Sequence, residues 1–381
     1  MIESLGPGGA EHALVDLATE ATRRGHTCDV VVLWPPYTLE KRLAGTGVTV
    51  HHLDLRHRRD ALRAVTRLLR LSRRLRPTVI HAQLFFAGVY TAATRMFDGR
   101  PTRVYTFQNL DYVGYPATSA WGRLRRTLER ITMRFGVHGH SAVSSAAARH
   151  VEAQLGLEHV DVVENGVNLA LLNEQATAQD AGETLRSLGV PERGPLLVCS
   201  ARLVHQKGHD YLIEAAALLA QRGIEFHLVL AGGGPRQDEL AQSVRDARLQ
   251  DRVTLTGYLP HTTLIPLISR ADAIVLTSLY EGLPLAVIEA QALGTAVIST
   301  RVGGVPELID HERNGLLVTP RDAAALADAL ARFLTEGDLQ ARFERAARQG
   351  RQRSDISRVA DHYERLYDSV RRRRSTTQAD R

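Results

Sequence analysis

The sequence predicts an α/β protein made of two doubly wound domains, each with a parallel sheet covered by helices. Short apolar runs alternate with longer stretches of helical periodicity, which is typical of parallel sheets with helical crossovers. The chain has 381 residues, more than one ordinary hydrophobic core supports and suitable for two domains. The alternation weakens once, over residues 169–194, and then restarts. We therefore predict two domains that meet near this segment.

The predicted strands are short apolar runs that end in polar or glycine-containing loops. They are Asp29–Leu33, Val48–Leu53, Thr78–Ala82, Arg103–Phe107, Leu196–Ser200, Phe226–Ala231, Val253–Thr256, Ala273–Leu276 and Ala296–Ser299. Helical stretches lie between them, as in the spacing of Leu62, Val65, Leu68, Leu69 and Leu75. Predicted strands occur on both sides of the weak segment, so each half of the chain carries its own sheet.

We assign residues 1–180 to an N-terminal domain and residues 181–354 to a C-terminal domain. Residues 355–370 form a last helix whose apolar stripe must be buried, and we expect it to return to the first domain. The stripe consists of Ile356, Val359, Tyr363, Leu366, Tyr367 and Val370. The basic polar tail, residues 371–381, is predicted to be disordered.

The first residues depart from the doubly wound pattern. Such a domain opens with a full central strand, whereas here Met1–Leu5 leads directly into the glycine-rich stretch Gly6–Gly9. We therefore expect part of the first strand to be absent, which would reduce the stability of the first domain.

Composition excludes several classes of protein. With 44% hydrophobic and 24% charged residues, the chain has the balance of a folded soluble protein. Apolar runs such as Val30–Trp34 are too short for a membrane span, and the start lacks the sections of a signal peptide. Two cysteines, Cys28 and Cys199, provide neither a disulfide framework nor a thiolate metal cluster. These features predict a cytoplasmic protein.

Positive charge is concentrated in one part of the chain. The net charge is +6, but the segment from Lys41 to Arg134 holds 19 Lys and Arg against 5 Asp and Glu, a net of +14. Any single basic run is most simply a solvated helix face. Together the runs would attract an anionic surface, and no nucleic-acid-binding motif accompanies them. We therefore predict peripheral contact with the anionic inner face of a membrane, and no contact with nucleic acid.

Two cations lie in the loop after the predicted strand Leu196–Ser200. Arg202 and Lys207 stand between a buried strand and a helix, where doubly wound sheets bind ligands at the carboxyl ends of their strands. Together they could neutralise a diphosphate. A solvated basic loop explains them equally well when this loop is considered alone.

The stretch from Glu281 to Glu289 also follows a predicted strand. Gly282, Leu283 and Pro284 form a turn that would aim free backbone N–H groups and a helix N-terminus at an anion, and Pro284 suits the first helical turn. Helix capping and a surface glutamate would explain either carboxylate, but not both together with the turn. We therefore expect one carboxylate to bind sugar hydroxyls and the other a ribose diol.

Two glycine-rich loops, Gly232–Pro235 and Gly303–Glu307, have the same strand-to-helix position. Glycine clusters of this kind either admit a ligand or make a tight turn, and the tight turn is commoner. Both alternatives stay open for these loops.

In this order, the motifs resemble those of the GT4-type family of retaining glycosyltransferases. The matching segments are Gly8–Glu11, Arg24–His26, Ala142–Ser144 and Asn165–Asn168 in the first half, and Arg202–Gly208, Gly232–Pro235, Val253–Gly257, Glu281–Glu289 and Gly303–Val318 in the second. The resemblance covers nearly the whole chain, and the order of the motifs is specific. It implies a GT-B fold, in which two Rossmann-like domains face a central cleft and the last helix crosses back to the first domain.

The resemblance implies a hexosyltransferase of polysaccharide biosynthesis. Its donor would be a UDP- or GDP-linked sugar, and its acceptor a glycan, a lipid-linked glycan or a small molecule. Arg202 and Lys207 would bind the leaving diphosphate, Glu281 the hexose and Glu289 the ribose. The other donor-binding residues that the resemblance implies are Gly8, Gly9, Gly234, Tyr258, Leu259, Gly282, Leu283 and Pro284.

The implied chemistry needs neither a metal nor a cofactor. The sequence has no Asp-x-Asp motif, which suits charge stabilisation by Arg202, Lys207 and a helix end, with Glu281 as the third catalytic residue. In the family, retention is thought to proceed by same-face attack while the leaving phosphate helps to deprotonate the acceptor. No protein nucleophile is then required.

The acceptor side departs from the family pattern. Many relatives have a histidine where this chain has Gln108, and glutamine cannot carry a proton at neutral pH. His81 ends another strand on the same rim, as an acceptor-side group or as a satisfied buried histidine. Asn165 is the third acceptor-side candidate.

Two other functions stay open at the level of sequence. The short first strand and Gln108 would also suit a nucleotide-sugar-binding protein without transfer activity. The Gly6-x-Gly8 pair suggests a nicotinamide-dependent oxidoreductase only weakly, because the third glycine of that fingerprint is replaced by Glu11.

Overall fold

The computed structural model describes residues 1–57, 60–114, 120–178 and 181–379. The chain divides into two compact units: unit 1 comprises Met1–Gly166 with Ile356–Arg381, and unit 2 comprises Val167–Asp355. This division lies earlier in the chain than the predicted boundary between residues 180 and 181. The reason is that the weakly patterned segment after Gly166 is helical and packs on other helices of unit 2.

Unit 1 consists of parallel strands and the helices that connect them. Its strands are β1 (Asp29–Val32), β2 (Thr49–His52), β3 (Val79–Gln83), β4 (Thr102–Phe107), β5 (Gly139–Ala142) and β6 (Asp161–Val162). Its helices are α1 (Gly9–Arg23), α2 (Ala61–Leu75), α3 (Phe85–Ala93), α4 (Asp111–Gly114), α5 (Ala120–Gly136), α6 (Ser145–Leu155) and, from the end of the chain, α16 (Ile356–Ala379). The strands form two parallel sheets, β1–β2 and β3–β4–β5–β6.

Met1 and Ile2 lie between the two sheets of unit 1, at the position of the predicted central strand. The backbone N–H of Ile2 donates to the carbonyl of Val31 (3.0 Å), and the N–H of Gln83 donates to the carbonyl of Met1 (3.0 Å). Ile2 is also fully buried in the apolar core. These two residues therefore link β1 to β3 through backbone hydrogen bonds.

Helix α16 completes the core of unit 1, which confirms the predicted return of the last helix. Its buried stripe packs with Val104 of β4 and with Val163. Arg24, at the end of α1, pairs with Asp361 (2.6 Å) and Glu364 (3.3 Å) of this helix. The motif Arg24–His26 thus serves to hold α16 in place.

The helix continues to Ala379, whereas the sequence predicts disorder from Arg371. Arg374 donates to the carbonyl oxygen of Arg100 (2.8 Å), and the hydroxyls of Ser375 and Thr376 donate to carbonyls four residues earlier. These contacts extend the helix beyond the apolar stripe. The last two residues of the predicted tail, 380 and 381, lie outside the described residues. Among the described helices, none is both long and apolar enough to cross a bilayer.

Unit 2 contains a single parallel sheet. Its strands are β7 (Leu196–Ser200), β8 (His227–Ala231), β9 (Val253–Gly257), β10 (Ala273–Leu276), β11 (Ala296–Thr300) and β12 (Leu316–Val318). Its helices are α7 (Leu169–Ala178), α8 (Ala181–Ser187), α9 (His209–Gln221), α10 (Gln237–Asp246), α11 (His261–Arg270), α12 (Leu285–Leu293), α13 (Val305–Leu308), α14 (Ala323–Thr335) and α15 (Gly337–Gly350). The two units confirm the predicted class of doubly wound α/β folds.

The strand order of unit 2 creates a switch point. Along the sheet the order is β12–β11–β10–β7–β8–β9, so the chain moves from β7 to one side and later returns to the other side at β10. Adjacent loops that leave such a pair of parallel strands diverge and leave a crevice at the carboxyl ends. The loops after β7 and β10 therefore border the expected ligand position of this unit.

Histidines that are largely withdrawn from water give the fold a pH dependence that can be tested. Burial lowers the pKa of His81 and of His138 to about 3 and that of His209 to about 4. The unfolded chain titrates these groups near 6.5, so it binds more protons than the native protein below that pH. The contribution of these neutral histidines to the free energy of unfolding is therefore fully present above pH 6.5. It decreases as the pH falls towards 3.

For His81 alone, the expected loss of unfolding free energy at pH 5 is ~2 kcal/mol. Denaturant titrations at pH 7.5 and pH 5 measure it. The variant His81→Gln should show a smaller difference between the two pH values, while exposed His57→Gln should keep the wild-type difference. If His81→Gln kept the wild-type difference in unfolding free energy between pH 7.5 and pH 5, protonation of His81 would not be the cause of that difference.

Candidate functional site

The loops after β7 and β10 are bound to each other by a set of hydrogen bonds. The Gln206 side chain donates to the carbonyl of Tyr280 (2.9 Å), and the N–H of Leu279 donates to the carbonyl of Gln206 (2.8 Å). The Thr277 hydroxyl donates to the carbonyl of Lys207 (3.0 Å). These bonds fix the position of Lys207 at the switch point.

Lys207 and Glu281 meet in this crevice. The Lys207 ammonium donates to Oε1 of Glu281, and the Ser278 hydroxyl donates to the same oxygen (2.6 Å). The side chains of Glu281 and Lys207 are 7% and 20% exposed, so the pair is largely withdrawn from water. A cation and a carboxylate in such surroundings interact strongly with each other and with any charged group that enters.

Arg202 lies on the same loop but points to solvent. Its neighbour Leu203 is fully buried and anchors the loop, while Arg202 itself is exposed. Within the described parts of the chain, the Arg202 guanidinium makes no hydrogen bond, so it is available to an anion. The two predicted cations therefore differ in their surroundings: Lys207 forms an ion pair with Glu281, whereas Arg202 is exposed to solvent.

The loop after β11 approaches Glu281 from the other side. Gly303 has a φ of +51°, and a Cβ at this position would lie 1.8 Å from the carbonyl oxygen of Glu281. The N–H of Gly304 donates to the carbonyl of Gly282 (3.0 Å), and the Thr300 hydroxyl donates to the carbonyl of Ser278 (2.6 Å). The glycine is thus required for the close approach of two backbones that shape the site.

Helix α12 begins directly after the Gly282–Pro284 turn, as the sequence predicts. Pro284 is the N-cap residue, one position before the first helical turn, and no side chain of the described residues caps this end. Glu289 is buried in the second turn, where its carboxylate contacts Nε2 of His261 at 2.9 Å. The other ring nitrogen of His261 contacts the side-chain oxygen of Gln175 at 2.9 Å. Glu289 is therefore oriented by a histidine that the motif did not predict.

The glycine loop after β8 is explained by backbone packing within unit 2. A Cβ on Gly232 would lie 1.9 Å from the carbonyl oxygen of Ala201, and one on Gly234 would lie 2.4 Å from that of Leu203. This supports the tight-turn alternative for Gly234. Tyr258 is 46% exposed and Leu259 is half-buried, and both directly follow β9.

In unit 1, Gly8 and Gly9 lie at the N-terminus of α1. Gly8 is the N-cap residue, and a Cβ there would meet the Glu11 carboxylate at 2.3 Å. Gly9 is exposed. Their approach to the donor phosphates stays a prediction.

Two acceptor-side candidates lie together at the carboxyl ends of unit 1 strands. The Asn165 amide donates to the side-chain oxygen of Gln108 (3.1 Å), and the Gln108 amide donates to that of Gln83 (3.0 Å). Gln83 and Asn165 are buried, and Gln108 is half-buried. Gln83 belongs to no motif of the sequence, although it directly follows a predicted strand on the same rim.

His81 is placed elsewhere, beneath helix α16. One ring nitrogen contacts the Tyr367 hydroxyl (2.8 Å) and the other the Thr106 hydroxyl (2.7 Å). The Thr106 hydroxyl in turn contacts that of Ser141 (2.7 Å). Both ring nitrogens of the half-buried His81 are therefore satisfied, which favours the structural alternative and separates His81 from the amide chain of Gln108 and Asn165.

Ser278, His261 and Gln175 are further residues of the site that sequence reasoning missed. Ser278 follows β10 and could have been found by position, whereas His261 and Gln175 carry no spacing signal. Across the described ranges, no group of three or more His, Cys, Asp and Glu side chains could hold a metal ion.

Comparisons with known proteins identify both halves of the chain. The family model of glycosyltransferase family 4 matches residues 7–171, and that of glycosyl transferases group 1 matches residues 180–350. The glycogen synthase of Mycobacterium tuberculosis is 30% identical over 297 residues, which are 76% of this chain and 68% of that protein. The alpha-D-kanosaminyltransferase of Streptomyces kanamyceticus is 32% identical over 183 residues, 48% of this chain and 47% of that protein. Its match therefore spans about half the length of the relative.

Solved structures agree on the fold. HepE of Anabaena, crystallised in complex with UDP-glucose, superimposes with a TM-score of 0.83 at 22% identity, covering 97% of this chain and 98% of that chain. Sucrose-phosphate synthase of Thermosynechococcus elongatus gives a TM-score of 0.81 at 20% identity, over 97% and 95% of the two chains. At these identities the likeness establishes the architecture, and it confirms the predicted GT-B class. Together with the two family models, it shows that the chain belongs to the GT4-type family of glycosyltransferases.

Proposed function

We propose that this protein is a retaining glycosyltransferase that moves a hexose from a nucleoside-diphosphate sugar to a hydroxyl group of its acceptor, without a divalent metal. The observation that carries the proposal is the pairing of Lys207 with Glu281 at the switch point of unit 2, with Arg202 open on the same loop. A cation next to a carboxylate in a crevice suits a ligand that has both a diphosphate and sugar hydroxyls.

On the donor side, Arg202, Lys207 and the N-terminus of α12 would bind the diphosphate. Each contributes positive charge or N–H donors, and Lys207 acts in a largely water-excluded position where its charge is little screened. The second oxygen of the Glu281 carboxylate would bind the hexose, since Oε1 already accepts from Lys207 and Ser278. A nucleotide-sugar donor is supported by the UDP and UDP-glucose complexes of HepE, and a UDP- or GDP-linked sugar stays the prediction.

The proposed reaction breaks the bond between the anomeric carbon and the diphosphate oxygen. The acceptor oxygen attacks the same face of the sugar, the bonding electrons leave with the diphosphate, and the acceptor proton passes to a phosphate oxygen. Arg202 and Lys207 stabilise the charge that develops on the diphosphate. No residue of the chain forms a covalent intermediate.

On the acceptor side, the amide chain of Gln83, Gln108 and Asn165 would bind a hydroxyl-rich acceptor. Amide side chains both donate and accept hydrogen bonds, so they match sugar hydroxyls, but they do not take a proton. This agrees with transfer of the acceptor proton to the leaving phosphate. A glycan, a lipid-linked glycan and a small polyhydroxylated molecule all fit this chemistry. A cytoplasmic location stays a prediction.

The test is turnover in the presence of EDTA. The protein is incubated with UDP-, GDP- and ADP-sugars and a panel of sugar acceptors, nucleoside diphosphate release is measured, and the anomeric configuration of the product is determined by NMR. We expect release with one nucleotide family and a product with the configuration of the donor. Inverted configuration or an absolute need for a divalent metal would contradict the corresponding part of the proposal. Nucleotide binding without turnover would instead support a binding protein without transfer activity.

Glu289→Gln tests the predicted contact with the ribose. Loss of a hydrogen bond to a charged group weakens binding by ~1.5–3 kcal/mol, so the Kd for the nucleoside diphosphate should rise about 10- to 100-fold. Because this contact is made equally in the ground state and the transition state, kcat should change little. Calorimetric titration and initial rates measure both quantities. Glu214→Gln, at an exposed position of α9, is the matched control; equal affinities in the two variants would remove Glu289 from the site.

A further inference from the structure

Helix α5 presents a large apolar stripe to solvent. Its five members recur at intervals of three and four residues, so they share one face of the helix. They are Trp121 (59% exposed), Leu124 (59%), Leu128 (41%), Ile131 (51%) and Phe135 (67%). The stripe extends along the whole helix of 17 residues. Contiguous exposed apolar surface of this kind marks an interaction site.

The inner face of α5 consists of four buried residues, Gly122, Glu129, Met133 and Gly136. Glu129 is 1% exposed and accepts a hydrogen bond from the Tyr112 hydroxyl. Arg125 lies over the ring of Phe85 at 4.6 Å, and Arg126 lies over the ring of Tyr112 at 5.1 Å. Unit 1 therefore holds α5 through these buried residues and the cation–π contacts beside them, and the exposed apolar stripe lies away from this packing.

Basic residues accompany the stripe along one flank. Arg123, Arg130 and Arg134 are exposed, and the single acidic residue of α5, Glu129, is buried. Met96 and Phe97, which follow α3 at a turn that contacts α5, are exposed as well. Apolar surface flanked by arginines is complementary to a bilayer with anionic headgroups.

A second copy of the chain fits this face less well. The spacing of the stripe would suit two facing helices, but such pairs are stabilised by opposite charges beside the seam. Beside this stripe stand Thr127, Thr132, Arg134 and Arg125, whose guanidinium lies over the ring of Phe85, and no acidic residue. Two copies would therefore place like charges against each other, whereas an anionic surface would neutralise them.

We propose that α5 is a docking face for an anionic lipid bilayer, on which the helix lies parallel to the surface with its stripe among the acyl chains. A straight stripe along a helix of this length, about 25 Å, matches a flat surface. The arginines then reach the phosphates of the headgroups. This inference goes beyond the proposed function and does not depend on which sugar is transferred.

Vesicle flotation with the full chain tests the proposal. The probes are vesicles of phosphatidylcholine alone and of phosphatidylcholine mixed with phosphatidylglycerol. We expect the wild type to float with the mixed vesicles and to bind the neutral ones at least about tenfold more weakly, since each basic residue near an anionic surface adds to the attraction. The triple variant Leu124→Gln/Leu128→Gln/Ile131→Gln should lose binding to the mixed vesicles by a similar factor.

Matched variants test whether vesicle binding depends on α5 itself or only on the positive charge of the chain. Arg123→Gln/Arg130→Gln/Arg134→Gln should weaken binding, whereas Arg70→Gln/Arg73→Gln/Arg74→Gln, with the same charge change on exposed positions of α2, should not. Leu62→Gln, also exposed on α2, is the apolar control. Thermal unfolding followed by circular dichroism checks that each variant is folded.

Equal flotation of the α5 and α2 variants, or no flotation of the wild type, would overturn the proposal. Sedimentation velocity gives the remaining outcome: a dimer that the Leu124→Gln/Leu128→Gln/Ile131→Gln variant loses would assign the stripe to a second copy of the chain.

Discussion

Replacing Lys207 by alanine is expected to reduce kcat by about 10²–10³-fold, because the ammonium would stabilise charge that develops on the leaving diphosphate. Removal of one preorganised donor of this kind raises a barrier by ~3–4 kcal/mol. Lys207 is held by the loop contacts described above, so little reorganisation is needed when the bond breaks. Initial rates of nucleotide release under saturating donor measure the change.

The chain supplies a matched control, since Lys41 and Lys207 are its only lysines. Lys41 is exposed on a short turn of unit 1, and Lys41→Ala should keep wild-type rates. A second control addresses the buried partner, because Lys207→Ala leaves the Glu281 carboxylate without its cation. The double variant Lys207→Ala/Glu281→Gln should regain stability without regaining activity. If Lys207→Ala kept wild-type turnover, the crevice at β7 and β10 would not be the donor site.

Replacing Gly303 by alanine is expected to destabilise unit 2 by ~3 kcal/mol, through left-handed backbone strain and overpacking together. The added methyl group would lie 1.8 Å from the Glu281 carbonyl, so the two backbones must separate. This moves Glu281 away from Lys207, and we expect the folded fraction to lose most of its activity. Thermal unfolding and the rate per folded molecule measure the two effects.

Gly223→Ala measures the cost of left-handed backbone strain alone, without a contact like that of residue 303 with the Glu281 carbonyl. Gly223 has a φ of +70°, and a Cβ there would meet nothing within 4 Å. This variant should lose only ~1 kcal/mol of stability and keep its activity. Similar stability losses in the two variants would mean that the approach of Gly303 to Glu281 does not shape the site.

Most of the fold could be predicted because nine strands are marked by short runs of apolar and β-branched residues, and all nine are present with each end shifted by at most one residue. The strands that were missed are short or polar. β5 reads Gly-His-Ser-Ala, yet it lies inside a sheet where the Ser141 hydroxyl contacts that of Thr106. Gly139 is required there because a Cβ would meet the side chain of Val370 at 2.4 Å. Tertiary surroundings thus decide the structure where the local pattern is weak.

The candidate site could be predicted in part. Position after a strand was enough to select Arg202, Lys207 and Glu281, because parallel strands bring their carboxyl ends to one edge. Which loops would become neighbours could not be predicted, since it depends on the pairing of β7 with β10. For that reason the Lys207–Glu281 pair, the contribution of Ser278 and the contact of His261 with Glu289 appeared only in the structure.

The position of α16 in unit 1 has a consequence for the order of folding during synthesis. Unit 2 is one continuous stretch of chain, so it can fold as soon as Asp355 has left the ribosome. Unit 1 begins earlier but lacks the buried side chains of Ile356, Tyr363 and Leu366 until the last part of the chain is made. The apolar surface that α16 covers in unit 1 therefore stays exposed to solvent while unit 2 is translated. This interval is when a nascent chain would depend most on a chaperone, and pulse-chase proteolysis should find unit 2 resistant before unit 1.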